Sequence, residues 1–153
     1  GERQMKILII NGPNLNMLGA REKEIYGEQT LADMNAEIAE FCAANGMETV
    51  FYQSNIEGEL VGAVQSVISR FGADGIVLNA GAYTHYSHAI GDALACVKVP
   101  KVEVHISNVH ARENFRHLSV LADNCNGVIC GFGADSYKLA CLAIKHILQR
   151  CAK

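Results

Sequence analysis

The chain has 153 residues, half of them hydrophobic and 19% charged, with a formal net charge of -3 at pH 7. That length suits one domain with a sizeable core, and the composition excludes general disorder. No Lys/Arg cluster offers an electrostatic footprint for nucleic acid, and no apolar run approaches the roughly 18 residues that span a bilayer.

No signal-peptide pattern opens the chain. Gly1 to Gln4 read as a tail that includes a non-native remnant, with Met5 as the native start and residues 5–153 as one α/β domain. The six cysteines (Cys42, Cys96, Cys125, Cys130, Cys141, Cys151) never form a C-x-x-C pair, and most occupy apolar positions of expected helices or strands. They read as free structural thiols, small hydrophobes in a reducing cytoplasm, rather than as disulfides or zinc ligands.

Strand and helix patterns alternate along the chain. Lys6–Ile10 is a continuous aliphatic run, the form a parallel strand takes when both its faces are covered. Asn11–Gly27 follows (NGPNLNMLGAREKEIYG), far longer than the roughly 2–6 residues of an ordinary strand-to-helix link. It carries Asn14, Arg21 and Tyr26 and reads as a lid. Thr30 with Asp33 resembles a capping box, after which Leu31, Met34, Ile38, Phe41 and Cys42 keep helical spacing as far as Gly46. Glu48–Gln53 reads as a second strand. Leu60, Val61, Val64, Val67, Ile68 and Phe71 form a second helical stripe closed by Gly72. Gly75–Asn79 is the third strand, residues 84–97 a third helix interrupted by Gly91, and Lys101–Ile106 the fourth strand. A short helix over Arg112–His117, a fifth strand at Gly127–Cys130 and a closing amphipathic helix over Tyr137–Cys151 complete the pattern. Asp135 or Ser136 is the expected cap of that last helix.

Five strands alternating with helices imply a doubly wound parallel sheet with right-handed crossovers. A flavodoxin-like strand order is the preferred topology, with a dinucleotide-binding order as the rival. In such sheets ligands bind outside the carboxyl ends of the strands. There the sequence places Asn14, Arg21 and Tyr26 after strand one, Asn79, Gly81 and His85 after strand three, and His105, Ser107, Arg112 and Arg116 after strand four. Glu103 and His105 lie two apart on a strand and share a face. That pair is either a salt link or a carboxylate orienting a catalytic imidazole. Taken singly, Tyr26 reads as a surface tyrosine, Asp92 and His88 as helix-surface residues, and Arg112, Arg116 and His117 as decoration of a solvated helix. Together they describe a pocket with a phenol, an imidazole and guanidinium groups. The segment 131–136 (GFGADS) matches a phosphate loop only weakly, and no G-x-x-x-x-G-K, G-x-S-x-G or H-E-x-x-H pattern is present.

Three segments, NGPNLNMLG-x-RE-x-x-IYG, NAGAYTHYS-x-AI-x-DAL and EVHISNVHARENFRH, closely resemble the signature segments of the type II 3-dehydroquinate dehydratases. The similarity runs from about Met5 to the C-terminus. It implies a flavodoxin-like fold, assembly as a dodecamer of trimers, and elimination of water from 3-dehydroquinate without metal or cofactor, in the shikimate pathway. By the same resemblance Tyr26 is the general base, acting as tyrosinate. A free phenol has a pKa of about 10, so using its anion near pH 7 costs roughly 4 kcal/mol, and Arg21 is the implied cation that offsets it. Asn14 is implied to hold a water that donates to the enolate. His105 is implied as the general acid, with Glu103 orienting it. The substrate carboxylate would meet Ile106, Ser107 and Asn79, Arg116 and His85 would meet the ring hydroxyls, and Asp92 would enter from a neighbouring subunit.

Several positions depart from the family pattern. Lys23 stands where proline is common in the lid, Ala80 replaces a proline, Ile56 a histidine, Tyr86 a small hydroxyl residue and Gly91 a basic residue. These are expected to affect lid rigidity, affinity and the subunit interface rather than the reaction. Two other readings stay open on the residues alone. One is a metal-dependent hydrolase or lyase using Glu103, His105, His110 and His85; the other is a flavodoxin-like binding module without catalysis.

Overall fold

A computed structural model describes residues 3–152. Five parallel strands, β1 (Met5–Asn11), β2 (Met47–Gln53), β3 (Gly75–Asn79), β4 (Lys101–His105) and β5 (Gly127–Cys130), form one sheet in the order β2-β1-β3-β4-β5. This is the flavodoxin-like order expected from the alternation. The helices are α1 (Lys23–Tyr26), α2 (Leu31–Ala44), α3 (Glu57–Gln65), α4 (His88–Cys96) and α5 (Ala134–Cys151).

The strands explain their own burial. Successive side chains of an aliphatic strand point to opposite faces. Ile7 and Ile9 of β1 join Val77, Val102 and Val104 beneath α2 and α5, where Ile38, Tyr137 and Ile144 are fully buried. Leu8 and Ile10 join Ile76 and Leu78 on the other face, beneath Leu60 and Val64 of α3 and Ile90 and Leu94 of α4. Each aliphatic side chain so buried contributes about 1.5–3 kcal/mol relative to exposure. The doubly wound architecture follows from having two such cores, one on each face.

The capping box is present as read. Thr30 Oγ1 accepts from the Asp33 amide, and the Asp33 carboxylate accepts from the Thr30 amide, both at 3.1 Å. The Thr30 amide first, and the Thr30 hydroxyl second, hold the Asp33 carboxyl below its ordinary range.

Elsewhere the local reading needs correction. The second helical stripe does not extend to Phe71. α3 ends at Gln65, Ser66 Oγ back-bonds to the Gly62 carbonyl at 2.6 Å, and Ile68 is exposed. Such back-bonding competes with helix propagation. The third helix is split into a 3-10 turn over Gly81–His85 and α4, whose N-cap is Ser87, accepting from the Ile90 amide. The cap of α5 is Gly133 rather than Asp135 or Ser136, and Ser136 Oγ instead accepts from the Phe132 amide. Only Cys42 and Cys141 are buried as small hydrophobes, whereas Cys96 and Cys151 are exposed. Of the N-terminal tail, Gly1 and Glu2 lie outside the described residues, and Arg3 pairs with Asp74 at 2.6 Å.

The carboxyl edge is where the sheet meets the site. Asn11 and Asn79 are register partners across β1 and β3, so the loops after these two strands emerge side by side at the point where the connections diverge. Their backbones touch there, with Gly12 N donating to Asn79 O at 2.7 Å. A Cβ on Gly12 would stand 2.6 Å from the Ala80 carbonyl oxygen, so this approach requires glycine. Behind it, buried Tyr137 donates to Asn11 Oδ1 at 2.6 Å and accepts from Asn79 Nδ2 at 2.9 Å. Burial pushes the Tyr137 phenol up, keeping it neutral and fixed as a strut.

Candidate active site

A cavity of about 120 Å³ opens at this edge, lined by Asn14, Arg21, Tyr26, Asn79, His85, His105, Ile106, Ser107, Arg112 and Arg116. The lid supplies the first three. Leu15 and Leu18 are buried and anchor the lid to the core beneath α2, leaving the segment between them and α2 to fold over the opening. Asn14 has φ 70°, a left-handed conformation that Asn tolerates, and its amide donates to Asn55 Oδ1 at 3.0 Å. Glu22, at φ 28°, turns the chain into the single helical turn α1, which begins at Lys23 and ends on Tyr26.

Tyr26 is the point on which the lid closes. Its phenol oxygen accepts from Arg112 Nη1 at 2.7 Å and from Arg21 Nη2 at 3.3 Å. The guanidinium of Arg21 also lies 4.3 Å from the ring centroid, and that of Arg112 lies 5.2 Å away. Two cations therefore donate to the one phenol oxygen. The nearest compensating carboxylate, Glu22, is exposed and sits 3.5 Å from Arg21 and 3.8 Å from Arg112.

On the far strand His105 Nε2 meets Glu103 Oε2 at 2.6 Å, with both side chains buried. The alternation argument is borne out. Because Nε2 is committed to Glu103, Nδ1 is the ring nitrogen left for a ligand in the cavity. The other oxygen of Glu103 accepts from Ser119 Oγ at 2.6 Å. His85 stacks on His105, with ring centroids 6.4 Å apart and planes 15° apart, and its Nδ1 meets the Leu118 carbonyl at 2.7 Å. A carbonyl only accepts, so Nδ1 carries the proton and Nε2 of neutral His85 is an acceptor. Burial pushes His85 below its ordinary range, against the opposing effect of the Leu118 carbonyl.

Ile106 and Ser107 follow β4 directly, and Ser107 Oγ accepts from Arg112 Nη1 at 3.2 Å. Arg116 is held by Glu113 at 3.0 Å and lies over the Phe115 ring. Asn79 lines the cavity while its side chain braces the loop behind it, Oδ1 accepting from Gly81 N at 3.1 Å. Two of the expected site residues do not line the cavity: Glu103 lies buried behind His105, and Asp92 sits on the exposed face of α4. Of the residues of the metal-based reading, Glu103, His105 and His85 lie together, whereas His110 is exposed, its ring 5.9 Å from that of His117 and tilted by 40°. Among the described residues no group of three or more His, Cys, Asp or Glu side chains is placed to hold a metal ion.

The residue the sequence undervalued is Arg112. Instead of decorating a solvated helix, its side chain is 10% exposed, and the segment is two 3-10 turns, Val109–Ala111 and Asn114–His117, with Arg112 between them. Its place in the third signature segment was the available signal.

Residues 5–145 match the family model described as dehydroquinase class II. A protein of a Nitratiruptor species named 3-dehydroquinate dehydratase is 52% identical over 145 residues, covering 95% of this chain and 92% of its own. The crystal structure of the type II dehydroquinase from Butyrivibrio crossotus superposes with a TM-score of 0.89 at 51% identity, covering 93% of this chain and 98% of that one. The type II dehydroquinase from Propionibacterium acnes gives a TM-score of 0.87 at 38% identity, covering 94% and 99%. The family resemblance read from the three signature segments is therefore borne out: this chain belongs to the class II dehydroquinase family.

Proposed function

We propose that this chain is a hydro-lyase that removes water from 3-dehydroquinate to give 3-dehydroshikimate, with Tyr26 as base and His105 as acid. The observation that carries the reading is one phenol oxygen held by two guanidinium groups, in the same cavity as an imidazole oriented by a buried carboxylate. As tyrosinate, Tyr26 takes a proton from the carbon next to the ketone, and the electron pair moves onto the ketone oxygen as an enolate. Asn14 holds a water that donates to that oxygen, since stabilising charge as it develops is what lowers the barrier. Collapse of the enolate expels the ring hydroxyl, which His105 protonates from Nδ1 so that it leaves as water. One proton is gained at Tyr26 and one lost at His105, so the two groups are reset before the next turnover.

Ile106, Ser107 and Asn79 receive the substrate carboxylate, while His85 and Arg116 meet the ring hydroxyls. Asp92 serves the site of a neighbouring copy, which fits its exposed position outside its own cavity. The reading includes a dodecamer of trimers, a cytoplasmic setting and a step in the shikimate pathway of aromatic amino acid biosynthesis, and it requires neither metal nor cofactor. Incubation with 3-dehydroquinate and a chelator tests it, with growth of enone absorbance as the expected result. Absence of product, or product that disappears on exhaustive chelation, overturns it. Light scattering tests the assembly; a monomer of 16.5 kDa that retains full turnover would remove the role given to Asp92.

A further inference from the structure

Ser119 does not line the cavity, yet it is bonded to the carboxylate that holds His105, which does. We propose that Ser119 is a positioning residue for the elimination, acting on His105 through Glu103; the proposal rests on the reading of His105 as the acid.

The geometry leaves the Ser119 hydroxyl little choice. Its oxygen accepts from the Leu121 amide at 3.2 Å and the Ala122 amide at 3.0 Å. A hydroxyl has two acceptor positions and one proton. With both acceptor positions taken by backbone amides, the proton is committed to Glu103 Oε1, 2.6 Å away. Glu103 is 1% exposed, so water does not answer its charge. Each carboxylate oxygen has one short partner, Ser119 on one side and His105 on the other. A buried carboxylate fixed at both oxygens cannot rotate, and the imidazole bonded to it inherits that orientation.

The short strap that carries Ser119, residues 118–121, serves the second imidazole as well. The Leu118 carbonyl receives Nδ1 of His85, and the Val120 amide donates to the Thr84 carbonyl at 2.9 Å. The strap is pressed against α4 at Gly91, where a Cβ would stand 3.1 Å from the Val120 carbonyl oxygen. Asn124 Nδ2 closes the contact by donating to the Gly91 carbonyl at 2.9 Å. Gly91, a departure from the family pattern, thus stands where α4 and the strap meet. Consecutive residues of one strap orient both stacked imidazoles.

The charged and titratable groups around this pair are few. Arg21 and Tyr26 of the lid, His85 of the Gly81–His85 turn, and Arg112 and Arg116 of the segment after β4 line the cavity with His105. Behind Glu103 stand Lys101 and Cys125. Burial first, and the Glu103 charge second, push the Cys125 thiol up to about 12, so it stays neutral. The Lys101 ammonium is spent on the Val97 and Val99 carbonyls at 2.6 and 3.2 Å. Among the described residues, the hydrogen bonds answering the Glu103 charge come from His105 and Ser119.

The Ser119 hydroxyl therefore draws charge away from Glu103 and weakens its hold on the His105 proton. Ser119→Ala should strengthen that hold. We expect kcat to fall about 10-fold with KM little changed, and the alkaline limb of the kcat profile to move up by about one pH unit, from the usual worth of a hydrogen bond to a charged group. Ser119→Thr keeps the hydroxyl and should restore both. A kcat and alkaline limb like wild type in Ser119→Ala would overturn the proposal. So would a loss confined to KM or Tm with the limb unmoved, or a threonine variant that behaves like the alanine variant. His105→Asn separates the two levels. If it turns over at the wild-type rate, the acid assignment itself fails; if it is inactive while Ser119→Ala is unaffected, only the positioning role fails.

Discussion

Replacing Arg112 by methionine removes the closer of the two cations from Tyr26 while keeping an apolar stem against the ring. Arg112 Nη1 lies 2.7 Å from the phenol oxygen, compared with 3.3 Å for Arg21. At an effective dielectric of about 20, a full charge pair at that separation interacts by at most roughly 6 kcal/mol. Desolvation and relaxation reduce this towards the ~2–3 kcal/mol of a hydrogen bond to a charged group. The latter corresponds to a roughly 30- to 150-fold loss of kcat. The assay is initial-rate enone formation from 3-dehydroquinate at neutral pH. A variant with wild-type rates would refute the account. KM should also rise, because the same guanidinium nitrogen donates to Ser107 Oγ beside the proposed carboxylate cradle.

Two further outcomes follow from the same geometry. His85 is held below its ordinary range by burial, so the folded state disfavours its protonation. A depressed histidine stabilises the fold above the unfolded value of about 6.5, and that contribution is lost as pH falls below it; His85→Gln should flatten the decline of Tm across that window, and an unchanged decline would contradict the inference. Gly12→Ala would place a methyl 2.6 Å from the Ala80 carbonyl oxygen, a backbone atom that cannot swing away. Overpacking of this kind costs about 1–3 kcal/mol, roughly 2–4 °C in Tm per kcal/mol at this chain length. Turnover should fall beyond that, because β1 and β3 carry the two loops that line the cavity. A Tm like that of wild type by calorimetry would show that the edge yields more than the contact implies.

The sheet was legible because its signal is local and strong. Ile7 to Ile10 must be covered on both sides, and the two cores beneath α2/α5 and α3/α4 are the direct result. The long lid, the Glu103–His105 pair and the Thr30 cap were legible for the same reason, each depending on residues no more than a few positions apart or on loop length. Arg112 was not, because its role depends on two 3-10 turns that return it to a partner 86 residues away. Helical periodicity also misplaced the end of α3. The apolar residues Val67 and Ile68 continue the spacing, but Ser66 diverts the backbone bonds and Ile68 ends up exposed. Tyr137 illustrates a third case. As part of an amphipathic stripe it reads as core, and only the folded chain reveals it as the strut between Asn11 and Asn79.

The central claim is that the phenol oxygen of Tyr26 takes the proton from the substrate. Tyr26→Phe removes one oxygen, leaves the ring against the core and Arg21, and should fold with a Tm near that of wild type. With 3-dehydroquinate in chelator it should lose nearly all enone formation, at least about 1000-fold, since a positioned base contributes roughly 10²–10⁴-fold. A folded phenylalanine variant that forms product at the wild-type rate would contradict the account.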